Sequence, residues 1–387
     1  MNEGYGYSLE PVPEKERTYS FWHNFAIWFG SDAGIAVFWA GALLTPALSL
    51  ATATALIILG VALGNIFMAL VAVMGYRTGV PTMVLARGAL GVRGSVLPSI
   101  LNYIQLIGWS AIMIVVGAKA ADQVLTILTG MSTYYLWVIV IGVVLTLWSY
   151  LGPERWKTLE SVSVALLLVL TAWLTYVTLT KFNISELMFK PGRGGMSYWL
   201  GLDLVVAMPI SWVPLVADYA RFSRSLGGII ASYGLGVPAM LIIIFSTLTT
   251  GFLDIYSAAI TLKNVAPRVS VKKQILIVGA VSTAVAIFFP TEAYEWFLLL
   301  LVSVFVPLAV IMVLDYFIRG YDPKELLKKG GKYWYRSGVN VTAVAIWAAS
   351  SAFCLLLNTS SILGIEIPVI TDIASNYGSS LPTLALT

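Results

Sequence analysis

The chain has 387 residues, of which 59% are hydrophobic and 11% charged, with a formal net charge of +4. Soluble globular chains carry roughly 25% charged residues, so this composition excludes an ordinary water-soluble domain and implies a polytopic all-α membrane protein. The single cysteine, Cys354, excludes an intrachain disulfide, the single histidine, His23, excludes a multi-histidine metal site, and the modest positive charge suits basic loops beside a lipid bilayer, with no nucleic-acid partner.

The opening MNEGYGYSLEPVPEKERTYS lacks a basic n-region followed by a short apolar stretch and a cleavage site, so residues 1–20 are expected to form a tail, with the first span as its own anchor. Apolar runs able to cross about 30 Å of hydrocarbon follow near 22–46, 51–74, 97–129, 134–151, 159–180, 198–217, 229–250, 273–290, 294–318 and 338–358, then a weaker apolar tail. Short cytoplasmic loops are enriched in Lys and Arg. The segment carrying Arg77, Arg87 and Arg93, the turn GPERWK and the element DYARFSR share one side if each span crosses once. The expectation is a multi-pass plasma-membrane protein with a cytoplasmic N-terminus.

Two spans are interrupted. The first contains Gly30, Ser31, Asp32 and Gly34 within FAIWFGSDAGIAVFW; the sixth contains Pro209 and Pro214 around Ile210, Ser211 and Trp212. Irregular backbone at membrane depth is tolerated only where it is buried in protein or lines a cavity. Paired Gly/Pro interruptions at corresponding places in two halves point to a transporter's binding site. Spans one and six are five apart, as an inverted repeat of five plus five helices requires. The core is thus expected over 21–320, with C-terminal accessory helices over 321–387 whose last span reads as incomplete.

Charge conflicts with a single crossing in 226–262. One crossing would put KNVAPRVSVKK and RGYDPKELLKKGGKYWYR outside and the acidic PTEAYE inside, against the positive-inside rule. An even number of crossings removes all three conflicts, yet the stretch holds only one strong apolar run and reads as shortened.

Trp109, beside Gly108 in span three, and Trp212, at the Pro-flanked break of span six, are candidate walls of a slot for a flat ring, although most tryptophans in such a chain sit at the interface or between helices. Gln105, one turn before Trp109, could offer a donor and an acceptor to a heterocycle edge, or simply bridge helices. Of the intramembrane ionisable residues, Lys119 and Asp122 stand at i,i+3 and are expected to pair, whereas Asp32 and Asp254 have no neutralising neighbour and are functional candidates. Ser246, Thr247, Thr249 and Thr250 crowd hydroxyls into one helix; they either bond back to the preceding turn or join carbonyls freed by the broken first span in a sodium site.

At FWHNFAIWFG, GYRTGVPTMVLARGALGVRGS, QLIGWSA and SWVPLVADYARFSRS the chain resembles the nucleobase–cation symporter family, and TTGFLDIYSAAITLKN resembles its cytosine or hydroxymethylpyrimidine subgroup. The resemblance implies two inverted five-helix repeats plus C-terminal helices, and cation-coupled alternating access without an organic cofactor. It matches Trp109 and Trp212 to the pair that sandwiches the base, with Ser211 beside it, and Asp254 to a base-binding asparagine. Thr249 and Thr250, with Ser246, Gly30 and Asp32 nearby, correspond to the cation site, sodium or proton being the coupling ion. The family usually has twelve spans, with two where this chain shows one clear run at 226–262.

Another small-solute symporter, such as one for amino acids, would direct a helix N-terminus at a carboxylate and need no aromatic slot. A non-transporting relative is a further alternative. An intramembrane enzyme is not expected: residues 29–32 read FGSD where a protease dyad needs Gly-x-Gly-Asp, and neither His-Glu-x-x-His nor Gly-x-Ser-x-Gly occurs.

Overall fold

The computed structural model describes residues 8–32, 35–151, 169, 172–173, 176–234, 246–290 and 293–387; the side chains of 29–32, 35, 36, 38, 231, 233, 234 and 246–249 lie outside that description. The described residues are almost entirely helical. The main elements are α1 (Phe21–Asp32), α2 (Ile35–Leu44), α3 (Leu50–Thr78), α4 (Thr82–Leu90), α5 (Val96–Thr129), α6 (Tyr134–Leu151), α7 (Tyr198–Trp212), α8 (Ala217–Ala220), α9 (Leu226–Gly234), α10 (Ser246–Val265), α11 (Val271–Phe288), α12 (Tyr294–Arg319), α13 (Val341–Leu357), α14 (Pro368–Tyr377) and α15 (Ser380–Leu386). Among the described residues, six stretches are long and apolar enough to cross a membrane: α3, α5, α6, Tyr198–Ala220, α11 and α12.

Local chemistry sets the ends of these helices. Ser49, Ser197, Ser270 and Asn340 cap α3, α7, α11 and α13, each accepting a backbone N–H three residues on. Gly79 ends α3 at φ 73°, and a Cβ there would stand 2.9 Å from the Val12 carbonyl oxygen, so both conformation and space demand glycine.

The helix centred on span six is the heart of the molecule: 94% of its apolar window is buried, against 28% for α6. It lies parallel to α3 along a small-residue strip, where Cβ atoms on Gly60, Gly64 and Gly75 would collide with Val205, Pro209 and Ala217. Close backbone approach across Gly60-x-x-x-Gly64 is the usual solution where no water drives helices together. Pro209 packs over Gly64 inside α7, which it leaves unbroken. The interruption instead falls at 213–216, after Trp212 and around Pro214, one turn later than the two prolines suggested.

Antiparallel contacts fix which ends share a side. Asn102 Nδ2 donates to Thr261 Oγ1 at 2.8 Å, and Asn264 Nδ2 donates to Ser95 and Ser99 Oγ at 3.0 and 2.9 Å, so α10 descends beside the start of α5. The first residues of α9 follow Arg224, whose backbone N–H donates to the Tyr19 carbonyl. Both ends of 226–265 therefore lie on the side that carries Arg77, Arg87 and Arg93, as the charge pattern demands. Residues 235–245, between them, lie outside the described residues.

The basic loop after span two is not a simple loop. All nine residues of α4 are buried. Arg87 donates through Nε to Asn264 Oδ1 at 2.7 Å and through Nη1 to the Leu326 carbonyl at 3.2 Å, and burial lowers its pKa to about 10. Thr82, the first residue of α4, receives the Ala217 N–H on its hydroxyl at 2.9 Å and donates its own N–H to Asp218 Oδ1 at 2.9 Å. Tyr219 then hydrogen-bonds Ser257 Oγ at 2.8 Å and the Leu253 carbonyl at 3.0 Å, joining span six to α10.

Candidate functional site

The site is built where the end of α7 meets α5 and α10. Gln105 Nε2 donates to the Ser211 carbonyl at 3.0 Å and to Asn102 Oδ1 at 2.7 Å. Ser211 turns its own hydroxyl back to the Met208 carbonyl at 2.6 Å, so its backbone, not its side chain, faces α5. Gln105 thus clasps the residue directly before Trp212, while Trp109 follows one turn further along α5.

The two indoles are buried, at 5% and 6% exposure. Trp109 meets Tyr294 and Phe297 edge-on, with centroids 6.1 and 5.4 Å away; Trp212 meets Trp28 edge-on at 5.7 Å, and Trp28 in turn meets Tyr219 at 5.9 Å. Edge-to-face packing locks each ring's plane while leaving a face for other use. Gly108 does not open a space beside Trp109: a Cβ there would lie 2.9 Å from the Phe297 ring, so the glycine admits Phe297. Trp28 and Tyr294 were not singled out from sequence. Tyr294 also donates to Met208 Sδ at 3.5 Å and meets Trp39 edge-on at 5.9 Å, linking α12 to α7 and α2. Tyr294 lies within PTEAYE, a segment read from sequence only for its acidic charge.

Asp254 joins this group by register. Going up α5 from Ser99 to Asn102 to Met113 means going back along α10 from Asn264 to Thr261 to Gly251, whose Cβ would stand 3.1 Å from Met113 Cβ. On that register Asp254 stands level with Trp109, and its spacing from Gly251 and Thr261 puts it on the face turned to α5. Asp254 is fully buried, and neither carboxylate oxygen has a hydrogen-bond partner among the described residues.

Thr250 is buried one turn before Asp254. Gly30 and Asp32 lie in the last turn of α1, and Ser246 and Thr249 in the first turn of α10, but the side chains of these four candidates lie outside the described residues. α1 packs against α10, so the elements proposed for a cation site are neighbours. No cluster of three or more His, Cys, Asp or Glu suited to a metal occurs among the described residues.

Lys119 and Asp122 do not form the pair their spacing suggested. Asp122 accepts from Ser132 Oγ at 2.8 Å and from the Thr133 N–H, capping α6 across the turn, while the Lys119 ammonium stands 5.8 Å over the Trp39 ring. A carboxylate gains more from a helix N-terminus and two donors than from a flexible lysine in water.

A sixth passage interrupted after Trp212, buried between apolar helices and converging with α5 on aromatic and amide side chains, defines a polytopic membrane transporter; the break expected around Gly34 in the first passage lies outside the described residues. A family model described as a permease for cytosine/purines, uracil, thiamine and allantoin matches residues 11–247 and 226–377, and the chain belongs to that family, the nucleobase:cation symporters. It is 25% identical to a hydantoin permease of Microbacterium maritypicum, over 90% of this chain and 84% of the relative. It is 22% identical to a cytosine permease of Escherichia coli (strain K12), over 90% of each. Among solved structures, Mhp1, a nucleobase-cation-symport-1 family transporter in a closed conformation with bromovinylhydantoin bound, superposes with a TM-score of 0.82 at 21% identity, covering 98% of this chain and 94% of that one. An inward-facing conformation of Mhp1 gives 0.76, covering 98% and 92%. The fold is therefore the inverted-repeat transporter fold, and the named relatives are permeases, not enzymes.

Proposed function

We propose that this chain is a secondary active transporter that carries a nucleobase or related pyrimidine across the membrane by cation-coupled alternating access, with Trp109 and Trp212 as the walls against which the ring stacks. The observation that carries the reading is the clasp between Gln105 and the Ser211 carbonyl, which ties the Trp109 face of α5 to the interruption after Trp212. Stacking supplies contact area without charge, and amide and backbone groups at the break supply polar contacts for the ring's edge. Relatives carrying the names hydantoin permease and cytosine permease support a flat nitrogen heterocycle. Sodium is the proposed coupling ion, held by Thr249, Thr250 and Ser246 with backbone of α1 near Gly30 and Asp32. Its chemistry fits hydroxyl and carbonyl oxygens, and Thr250, the one whose side chain is described, is buried on α10, a helix that packs against α1. A ligand that binds the native state raises its melting temperature by mass action. Thermal shifts with cytosine, hydroxymethylpyrimidine, uracil, hypoxanthine and allantoin, with and without sodium, therefore test the reading. A shift with at least one ring, larger in sodium, is expected; no shift with any of them contradicts it.

A further inference from the structure

The polar groups left open at this site are nearly all acceptors. Hydrogen-bond partners fix which end of each amide is which. The Pro214 carbonyl can only accept, so the atom of Asn102 that meets it at 3.2 Å is Nδ2. Asn102 Oδ1 consequently faces Gln105, whose nearer atom must be the donor Nε2; the same atom also donates to the Ser211 carbonyl. That leaves Gln105 Oε1 buried with no hydrogen-bond partner among the described residues. About one helical turn away on the facing helix, both oxygens of Asp254 are buried and equally unpartnered. Level with Asp254 on α5, Trp109 Nε1 is an open donor among the described residues.

Buried polar atoms without partners are costly and rare. An ionised carboxylate has no hydrogen to give, unlike a carboxamide or a protonated carboxyl, each of which gives one and accepts one; a two-donor edge is the partner that favours the ionised form. Two parallel donors satisfy a carboxylate best, as in bidentate pairs. From this arrangement we infer that Asp254 selects rings that present a ring N–H beside an exocyclic amino group, the two-donor edge of 2-amino-4-oxo pyrimidines and purines. Cytosine, with a ring-nitrogen acceptor beside its amino group, meets one carboxylate oxygen with a lone pair. Uracil and hydantoin rings carry carbonyls on both sides of their imide N–H and do the same. The inference rests on the nucleobase reading and narrows it to a substrate class.

Cytosine and isocytosine are isomers of one size that differ in this edge, so calorimetric titration of both into the purified chain isolates it. Wild type is expected to bind isocytosine at least about tenfold tighter than cytosine, because leaving a buried acceptor unpaired in the wrong isomer is heavily penalised. Asp254→Asn supplies one donor and one acceptor and is expected to shift the ratio toward cytosine by about tenfold or more. Equal or tighter cytosine binding by wild type overturns the inference, as does an unchanged ratio in a folded Asp254→Asn protein. The wild-type comparison stands alone if the variant does not fold. If neither isomer nor uracil binds, the nucleobase reading fails with it; if both isomers bind without the expected preference, only the inference fails.

Discussion

Thr82 and Asp218, separated by 136 positions, are joined by a hydrogen bond of 2.9 Å from the threonine N–H to the carboxylate, while the threonine hydroxyl receives the N–H of Ala217, the neighbour of Asp218. The aspartate thus caps the N-terminus of α4, and α4 anchors the short helix that follows the interruption in span six. The start of α4, which follows Gly79–Pro81, and the segment Asp218–Arg221 are therefore two halves of one joint. Tyr219 extends the joint to α10 through Ser257 and Leu253.

Breaking this joint is expected to destabilise the fold. Thr82→Val removes the acceptor for a buried N–H, which costs about 1–3 kcal/mol. Cys354, the one cysteine of the chain and buried, reports the loss as earlier exposure to a thiol-reactive dye on heating. An unchanged melting curve would mean that the reciprocal bonds contribute nothing measurable.

Arg87 makes a second test of the same region. Its guanidinium reaches Asn264 and the Leu326 carbonyl with two different nitrogens, a geometry that a lysine ammonium cannot reproduce. Arg87→Lys is expected to melt nearly as early as Arg87→Ala in the same dye assay. Full recovery of wild-type stability by lysine would show that charge alone matters there.

The break in span six was legible because Pro at membrane depth has few uses, and Trp212 stood out for the same reason. Gln105 was placed on the Trp109 face by helical spacing, whereas the reason for singling out Trp109, space opened by Gly108, did not hold because Phe297 fills it. Trp28 and Tyr294 were not legible: their importance lies in ring contacts between elements far apart in sequence, which no local pattern encodes. Local spacing also misled, since Lys119 and Asp122 at i,i+3 found better partners across a turn and on α2. The basic segment around Arg87 hid a buried helix because its arginine is satisfied by an amide and a carbonyl instead of water.

The side assignment of the loops predicts labelling. In a Cys354→Ser background, Lys190→Cys should react with a membrane-impermeant thiol reagent added to intact cells, whereas Lys272→Cys and Lys329→Cys should react only after permeabilisation. The registers of α5 with α10 and of α6 with α11 put Lys272 with Arg87 and Arg93, on the basic side expected to face the cytoplasm. Reaction of Lys329→Cys from outside would reverse that orientation.

Coupling through Thr250 predicts reciprocity. Sodium and the base should raise each other's affinity by one common factor, since equilibrium coupling between two sites is symmetric. Thr250→Ala should weaken base binding in sodium and alter it little in its absence, as measured by titration at fixed ionic strength. Base affinity that ignores sodium and follows pH would instead assign the coupling to a buried carboxylate and a proton.

The most direct test is accumulation of a radiolabelled nucleobase by proteoliposomes containing the purified chain under an inward sodium gradient, with Trp109→Ala and Trp212→Ala in parallel. Aromatic stacking on a base is worth about 1–3 kcal/mol, so loss of either wall should lower affinity by about 10- to 100-fold. The account predicts accumulation by wild type and near-background uptake by both folded variants at low base concentration. Wild-type uptake retained in both variants, or no uptake of any base by the wild-type chain, would contradict it.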